Sequence, residues 1–390
     1  MRNYIPKELN FYFSSIGLGV NFFFTSFILV LSAIFGFYEF AAELGLLKAG
    51  IFMVCQMLSS NARTIIIAKN KEYSYDHFFN LRLIVGFLIF SIFTIVIFLI
   101  DSEYKFLIFI LSCMIVIQWI SEIIITSLHS QKKNAQKIAF IFFQILFVLL
   151  TTLCFFYKSL FFLEIVSILY IFFYLIFFLQ YYKNFFLNFQ KFEFQKSFKK
   201  AITLSLFSSI SINFTNLIWR VTIINFASKD FAGALFAGFA FASFLGSFFH
   251  NIIGPILFEK KNTKTIIKFL IDYILLLIIL GTWFVVYYLQ DKLVGVAEIK
   301  LFFYNTILIS LMGSYFMMKS HYLRFDYFFK EKKNQNSVFS LDIIYSFFCV
   351  FTVPLLFHFG GIEGLKYSYL MSSMISFLIF FTVSQYNIKE

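Results

Sequence analysis

Charge is what this chain lacks most. Only 13% of its 390 residues are Asp, Glu, Lys or Arg, while 61% are hydrophobic. Between the apolar runs no polar stretch is long enough to make a soluble domain, so a soluble fold is excluded. Cysteine is scarce as well. The four thiols, Cys55, Cys113, Cys154 and Cys349, lie inside apolar runs with no metal or redox spacing, which argues for buried, inert side chains. Catalytic signatures are also missing: there is no nucleophile–base pair, phosphate-cradling loop or metal cluster. The expectation is a protein that is not an enzyme and needs no cofactor. The first apolar run follows Arg2 and Lys7, is too long for a signal peptide and lacks a small-residue cleavage site. It reads as a retained first span.

What the chain has in abundance is apolar length. A span needs ~20 apolar residues, so about twelve would fill most of the chain. The runs fall at 9–36, 39–66, 79–100, 105–128, 136–157 and 159–181, then at 200–226, 231–257, 265–289, 297–318, 336–357 and 361–384. The breaks between them alternate in charge. Of the 32 Lys and Arg, 23 fall at the termini or in every second break, and 6 fall in the short breaks between. The remaining three, Lys48, Arg63 and Arg220, lie inside apolar runs. The net charge of +12 therefore points to membrane orientation, with both termini cytoplasmic, and not to nucleic acid.

The segment 183–199 mixes Phe with Lys, Asn and Gln and reads as amphipathic, lying on the cytoplasmic leaflet. It divides the chain into a six-helix lobe at 1–182 and a second at 200–390. The halves repeat. Phe13-Ser14-Ser15-Ile16 matches Phe207-Ser208-Ser209-Ile210, and Phe40-Ala41-Ala42-Glu43-Leu44 matches Phe231-Ala232-Gly233-Ala234-Leu235. A repeat of an even number of spans keeps its orientation, so the lobes should be related by an axis along the membrane normal, with a site between them.

The seventh span carries the most informative pattern. Along it Ser205, Ser209, Asn213, Asn216 and Arg220 recur at spacings of four, four, three and four. At ~100° per residue these fall within roughly 80° of arc on one helix face. Small polar residues alone would suit helix packing. An arginine at the bilayer centre costs about 2.5–3.5 kcal/mol, and such charges usually face a bundle interior or a wet cavity. The stripe ending at Arg220 therefore reads as one wall of a polar pathway.

Around Arg220 the chain resembles the polysaccharide-biosynthesis flippases of the O-antigen transporter type, within the superfamily that also holds the MATE exporters. The shared features are an arginine late in the seventh span, the short turn Ala227-Ser228-Lys229-Asp230, a small-residue start to the eighth span and Pro255 near its inner end. The first half agrees, with the aromatic–acidic turn at Tyr38-Glu39 and Arg63 closing the second span. The chain departs from the family where Phe-Ala replaces the usual Gly-Tyr or Gly-Phe pair at the start of spans two and eight. The resemblance implies an all-α integral membrane fold, two six-helix lobes in a V, in the bacterial inner membrane. It implies a cargo too: an oligosaccharide on a polyprenyl pyrophosphate, moved to the outer leaflet among membrane lipids and polysaccharide-assembly partners.

On that reading the anionic pyrophosphate needs cations, and arginine suits phosphate by its fork of donors. Arg63, Lys48 and Arg220 are the candidates, with Ser209, Asn213 and Asn216 lining the route. Arg63 and Lys48 each have a second reading, snorkelling to an interface, and Lys48 a third, pairing with Glu43. Glu122 shares a face with Gln118 and Thr126 and reads either as the partner of Arg220 or Arg63 or as a proton carrier. Asp272 and Asp342 read as interfacial acids, and His250 and Asn251 as cavity lining or an interhelical bond. Three further readings compete. A MATE-type exporter of cationic drugs would want acids in its spans, and the first and seventh have none. A polysaccharide polymerase or ligase would need a large outer loop, and the longest expected one is 290–298. A transporter of the major facilitator type would carry a charged motif between spans two and three, which is absent.

The alternation of charge sets a topology that can be tested. A cysteine replacing Lys292 should react with an impermeant maleimide in intact cells, and one replacing Lys132 should not. The opposite pattern would overturn the orientation.

Overall fold

The computed structural model describes residues 21, 23–57, 75–99, 101–130, 134–179, 204–248, 298–330 and 334–386. Every regular element among them is an α-helix: α1 (Phe23–Ile34), α2 (Tyr38–Met57), α3 (Tyr75–Leu99), α4 (Lys105–Ser130), α5 (Asn134–Phe156), α6 (Leu160–Phe177), α7 (Leu204–Phe226), α8 (Lys229–Phe248), α9 (Glu298–Lys330), α10 (Asn334–Leu365) and α11 (Ser368–Tyr386). Seven of these, α3 to α6 and α9 to α11, are long and apolar enough to cross a membrane. The run at 265–289 and the amphipathic segment at 183–199 lie outside the described residues.

Two helices run further than hydropathy suggests. The run expected to end at 318 continues as α9 to Lys330. Lys319–Lys330 has neither Gly nor Pro, so nothing local stops the helix although its charges mark it as a loop. Its Arg324 forks onto Asp342 of α10, Nε to Oδ1 at 3.0 Å and Nη2 to Oδ2 at 2.7 Å. Asp342 is thus a buried, bidentate partner of Arg324. The run expected to end at 357 continues past Pro354, and α10 then breaks at Gly361, whose φ of 58° and ψ of -145° are not helical, before a last turn to Leu365. The last helix consequently starts at Ser368 and not at 361.

By contacts the chain forms two compact units, 1–28 with 47–213 and 29–46 with 214–390. The division passes through α2, whose first turns belong to the second unit and whose remainder belongs to the first.

In the first unit α4 is the central helix. Its apolar window is 83% buried, against 28–33% for α3, α5 and α6, whose Phe87, Leu99, Phe142 and Phe161 are exposed. Exposed aromatic and aliphatic side chains of this kind suit lipid, and α4 is packed on protein. Its polar side chains find partners inside. The Gln118 side-chain amide donates to Tyr170 Oη at 2.8 Å, and the Gln118 backbone carbonyl accepts from the Asn21 amide at 3.1 Å. Tyr170 and Tyr174 lie 2.9 Å apart through their hydroxyls, and Gln144 of α5 and Asn21 close the network onto Tyr174. All five side chains are buried, so each amide or phenol stands in for the water the others lost. Phe24 stacks on Tyr170 with centroids 4.5 Å apart.

One turn along α4 lies an ion pair. Arg82 of α3 donates Nη1 to Glu122 Oε2 and to the Trp119 carbonyl, each at 2.6 Å, with its guanidinium 4.9 Å from the Trp119 ring centroid. Arg82 is 2% exposed. Charge alternation places it in a cytoplasmic break, yet it lies three residues inside the apolar run at 79–100, and burial with an acid is what makes that position tolerable. Lys137, assigned to the next break by the same count, is likewise buried on α5.

In the second unit α9 is packed against α8, α10 and α11. The Ser314 hydroxyl donates to the Ala242 carbonyl at 2.8 Å, and the Ser320 and Ser376 hydroxyls meet at 2.6 Å. Such short side chains let the helix backbones come close. α7 is fastened to α10 by Trp219, whose indole N–H donates to the Cys349 carbonyl at 2.6 Å, and by Thr215 on the Ser346 carbonyl at 3.3 Å.

Breaking one side of the Arg82–Glu122 pair strands a buried charge. Such losses cost about 3–5 kcal/mol, whereas replacing both partners by apolar groups is often neutral. Arg82→Leu alone should therefore lower the melting temperature of the purified protein sharply, and adding Glu122→Leu should recover most of it. A single variant as stable as the parent would refute this account of the pair.

Candidate functional site

α7 is one continuous helix from Leu204 to Phe226, so the polar stripe read from the sequence stays on one face of one element. The Asn213 amide turns back to donate to the Ser209 carbonyl at 2.8 Å, a bond within the helix. Asn216 is exposed and Ser209 half-buried. Arg220, about 100° around the helix from Trp219, leaves the α10 contact and reaches towards α2 and α8.

Two groups receive the Arg220 guanidinium. Nη1 donates to the Gly45 carbonyl of α2, and the guanidinium lies 5.0 Å from the ring centroid of Phe236 on α8. No acid pairs with it among the described residues. A hydrogen bond to a charged group contributes ~1.5–3 kcal/mol and a cation–π contact ~0.5–2 kcal/mol. Together these are comparable with the insertion cost of about 2.5–3.5 kcal/mol. Arg220 is thus accommodated without being neutralised, and its full positive charge remains.

That arrangement depends on an absent side chain. A Cβ on Gly45 would lie 2.5 Å from Phe236 Cδ2 and 2.9 Å from Arg220 Nη1. One α2 turn earlier the backbones are closer still. A Cβ on Gly233 would lie 1.9 Å from the Tyr38 carbonyl oxygen and 3.1 Å from the Ala42 nitrogen. Ala41, Ala42, Ala232, Ala234 and Ala237 are buried around this crossing. The matched segments Phe40–Leu44 and Phe231–Leu235 therefore pack on each other, and their small residues serve a close helix crossing. At its rim the Lys229 ammonium pairs with Glu43 at 3.1 Å, with Lys229 exposed.

The other residues singled out from the sequence are placed as follows. Lys48, on the part of α2 in the first unit, donates to the Ser26 hydroxyl of α1. Glu122 is held by Arg82, and Arg220, its expected partner on α7, has no acid paired with it among the described residues. Arg63, His250 and Asn251 lie outside the described residues. Sequence reasoning passed over Gly45, although the spacing Ala41–Gly45–Ala49 is the small residue every fourth position that marks a close helix contact. It also passed over Arg82, whose signal was its position inside an apolar run. Among the described residues no cluster of His, Cys, Asp or Glu could hold a metal ion.

No family model matches the chain, and no curated protein matches it. Solved structures do. A mutant of the Vibrio cholerae MATE transporter VcmN is 14% identical over 98% of this chain and 97% of its own, with a TM-score of 0.54. A multidrug resistance MATE family transporter of the MOP superfamily, in an outward-facing conformation, is 14% identical over 98% of this chain and 96% of its own, with a TM-score of 0.58. A MOP superfamily transporter from Pyrococcus furiosus, described as having a binding pocket of reverse polarity that suggests a different function, is 14% identical over 98% and 95%, with a TM-score of 0.53. At near-full coverage of both chains, and with apolar helices throughout, this is a multi-pass membrane protein with the all-α fold of the MATE transporters.

Proposed function

We propose that the protein is a flippase that carries a polyprenyl-pyrophosphate-linked oligosaccharide from the cytoplasmic to the outer leaflet of a bacterial inner membrane by alternating access. The observation that carries this reading is Arg220: a guanidinium within a span, held by a carbonyl and a ring, with no acid pairing among the described residues. Such a group attracts an anion, and its planar fork matches phosphate oxygens. The Asn213 and Asn216 amides and the Ser209 hydroxyl continue its face of α7 as neutral polar lining for the sugar. Lys48, which donates to the Ser26 hydroxyl, and Arg63 are proposed to meet the same anion at other stages. Selectivity for one sugar would rest on side chains that carry no motif.

The fold accommodates more than one cargo. Multidrug transporters among the structural neighbours favour a second reading, export of cationic compounds, and the neighbour with the pocket of reverse polarity favours the first. A cation exporter needs an acid free to meet its cargo. Among the described residues the buried acids, Glu122 and Asp342, are each tied to an arginine.

The test uses a strain lacking the flippase for a pyrophosphate-linked surface polysaccharide, with membrane protein measured in parallel. Losing a charge-assisted contact of ~1.5–3 kcal/mol should lower export by roughly ten-fold to a hundred-fold for Arg220→Ala. Arg220→Lys should retain part of the activity, since it keeps the charge but not the fork. Normal export by a stably expressed Arg220→Ala protein would remove the anion reading. Efflux of ethidium that survives the substitution would favour the exporter.

A further inference from the structure

The arginines among the described residues, Arg82, Arg220 and Arg324, use their donors differently. Arg324 gives the side edge of its fork, Nε and Nη2, to the two oxygens of Asp342 at 3.0 and 2.7 Å. Arg82 works from one corner. Its Nη1 serves both Glu122 and the Trp119 carbonyl, and its Nε is sealed in the interior without a partner. Arg220 also works from Nη1, which donates to the Gly45 carbonyl. Its Nε and Nη2 make no bond among the described residues, and neither is sealed off as Nε of Arg82 is. Phe236 covers one face of the guanidinium, with its ring centroid 5.0 Å away. A carbonyl therefore holds one corner and a ring holds one face. The Nε–Nη2 edge stays open, and in Arg324 that same edge takes a pair of anionic oxygens. Two oxygens of one phosphate offer an equivalent pair.

We propose, resting on the anion reading of Arg220, that the cargo's pyrophosphate binds side-on along the Nε–Nη2 edge and that Gly45 is the positioning residue that holds this edge in place. Gly45, Arg220 and Phe236 all belong to the second unit, so one packed body fixes the geometry. A long side chain that is already held loses less freedom on binding, which strengthens the bond to the anion. Orientation also gives selectivity. Charge alone attracts any anion, whereas a fixed edge favours one that presents two oxygens side by side. The missing side chain of Gly45 is what permits this. A Cβ there would lie 2.9 Å from Nη1, so the corner would have to leave the carbonyl and the edge would turn with it.

The experiment measures the Kd values of inorganic pyrophosphate and of bromide for the purified full-length protein by calorimetry at fixed ionic strength. Bromide is a single atom and cannot offer two oxygens to the fork. The charge difference between the probes is the same for every variant, so a change in the preference for pyrophosphate reports the edge. Arg220→Ala should weaken pyrophosphate binding by about ten-fold or more. Arg220→Lys keeps the charge without the edge, and its preference for pyrophosphate should fall about ten-fold. Gly45→Ala keeps the arginine and should lose the same preference. Leucic acid in place of Leu46, introduced by nonsense suppression, turns the 45–46 linkage into an ester. Its carbonyl accepts more weakly and no added atom crowds the site, so the preference should fall about three-fold. A parent-like preference in Gly45→Ala or in the ester variant would overturn positioning by Gly45, and the ester alone decides if Gly45→Ala does not fold. Full preference in Arg220→Lys would overturn side-on binding while leaving the anion reading in place. Pyrophosphate binding unchanged in Arg220→Ala would remove the anion reading and the side-on edge with it.

Discussion

A guanidinium in an apolar helix bundle must be solvated by the protein itself, and here a backbone carbonyl does it. The carbonyl of Gly45 is reachable only because that residue has no side chain, and α2 lies near enough only because Gly233 lets the first turns of α2 and α8 touch. Trp219 and Thr215 pin the other side of α7 to α10, which fixes the direction in which Arg220 leaves the helix. The position of the charge is thus determined by two absent Cβ atoms and an indole hydrogen bond, and it needs no salt bridge. An acid beside Arg220 would have stabilised it more and left nothing for an anion to bind.

The other cations inside helices are treated differently. Arg82 meets Glu122, and Arg324 meets Asp342 through both of its carboxylate oxygens. These pairs cancel their charge locally and fasten neighbouring helices, α3 to α4 and α9 to α10. In the first unit neutral amides and phenols bond one another around Tyr170 and Tyr174. Two buried arginines are thus paired where they hold helices, whereas Arg220 has no acid partner among the described residues.

Much of the fold was legible because spans are defined by length and hydropathy, which a linear sequence carries directly. The α3–α6 runs fall within a few residues of the observed helices. What hydropathy cannot carry is where a helix continues past the apolar run. Lys319 to Lys330 looks like a basic loop, yet it contains no breaker, and Asp342 satisfies its arginine. The stripe on α7 was legible from spacing alone. The partners of its arginine were not, since a backbone carbonyl leaves no mark in the sequence and a glycine is informative only when one knows what lies against it. The pairing of Glu122 could not be read either. Arg82 was counted with the loops, and choosing among three arginines requires knowing which helices are neighbours.

Burying Arg82 against Glu122 also constrains how the protein enters its membrane. α3 alone would carry an uncompensated guanidinium into lipid, and α4 alone an uncompensated carboxylate. Together they are neutral, and only the five residues 100–104 separate one helix from the next. The cheapest route into the bilayer is therefore a helical hairpin in which the two charges are already paired. A residue that looks topogenic, one more positive charge to hold a loop in the cytoplasm, instead ties the two helices of one hairpin to each other.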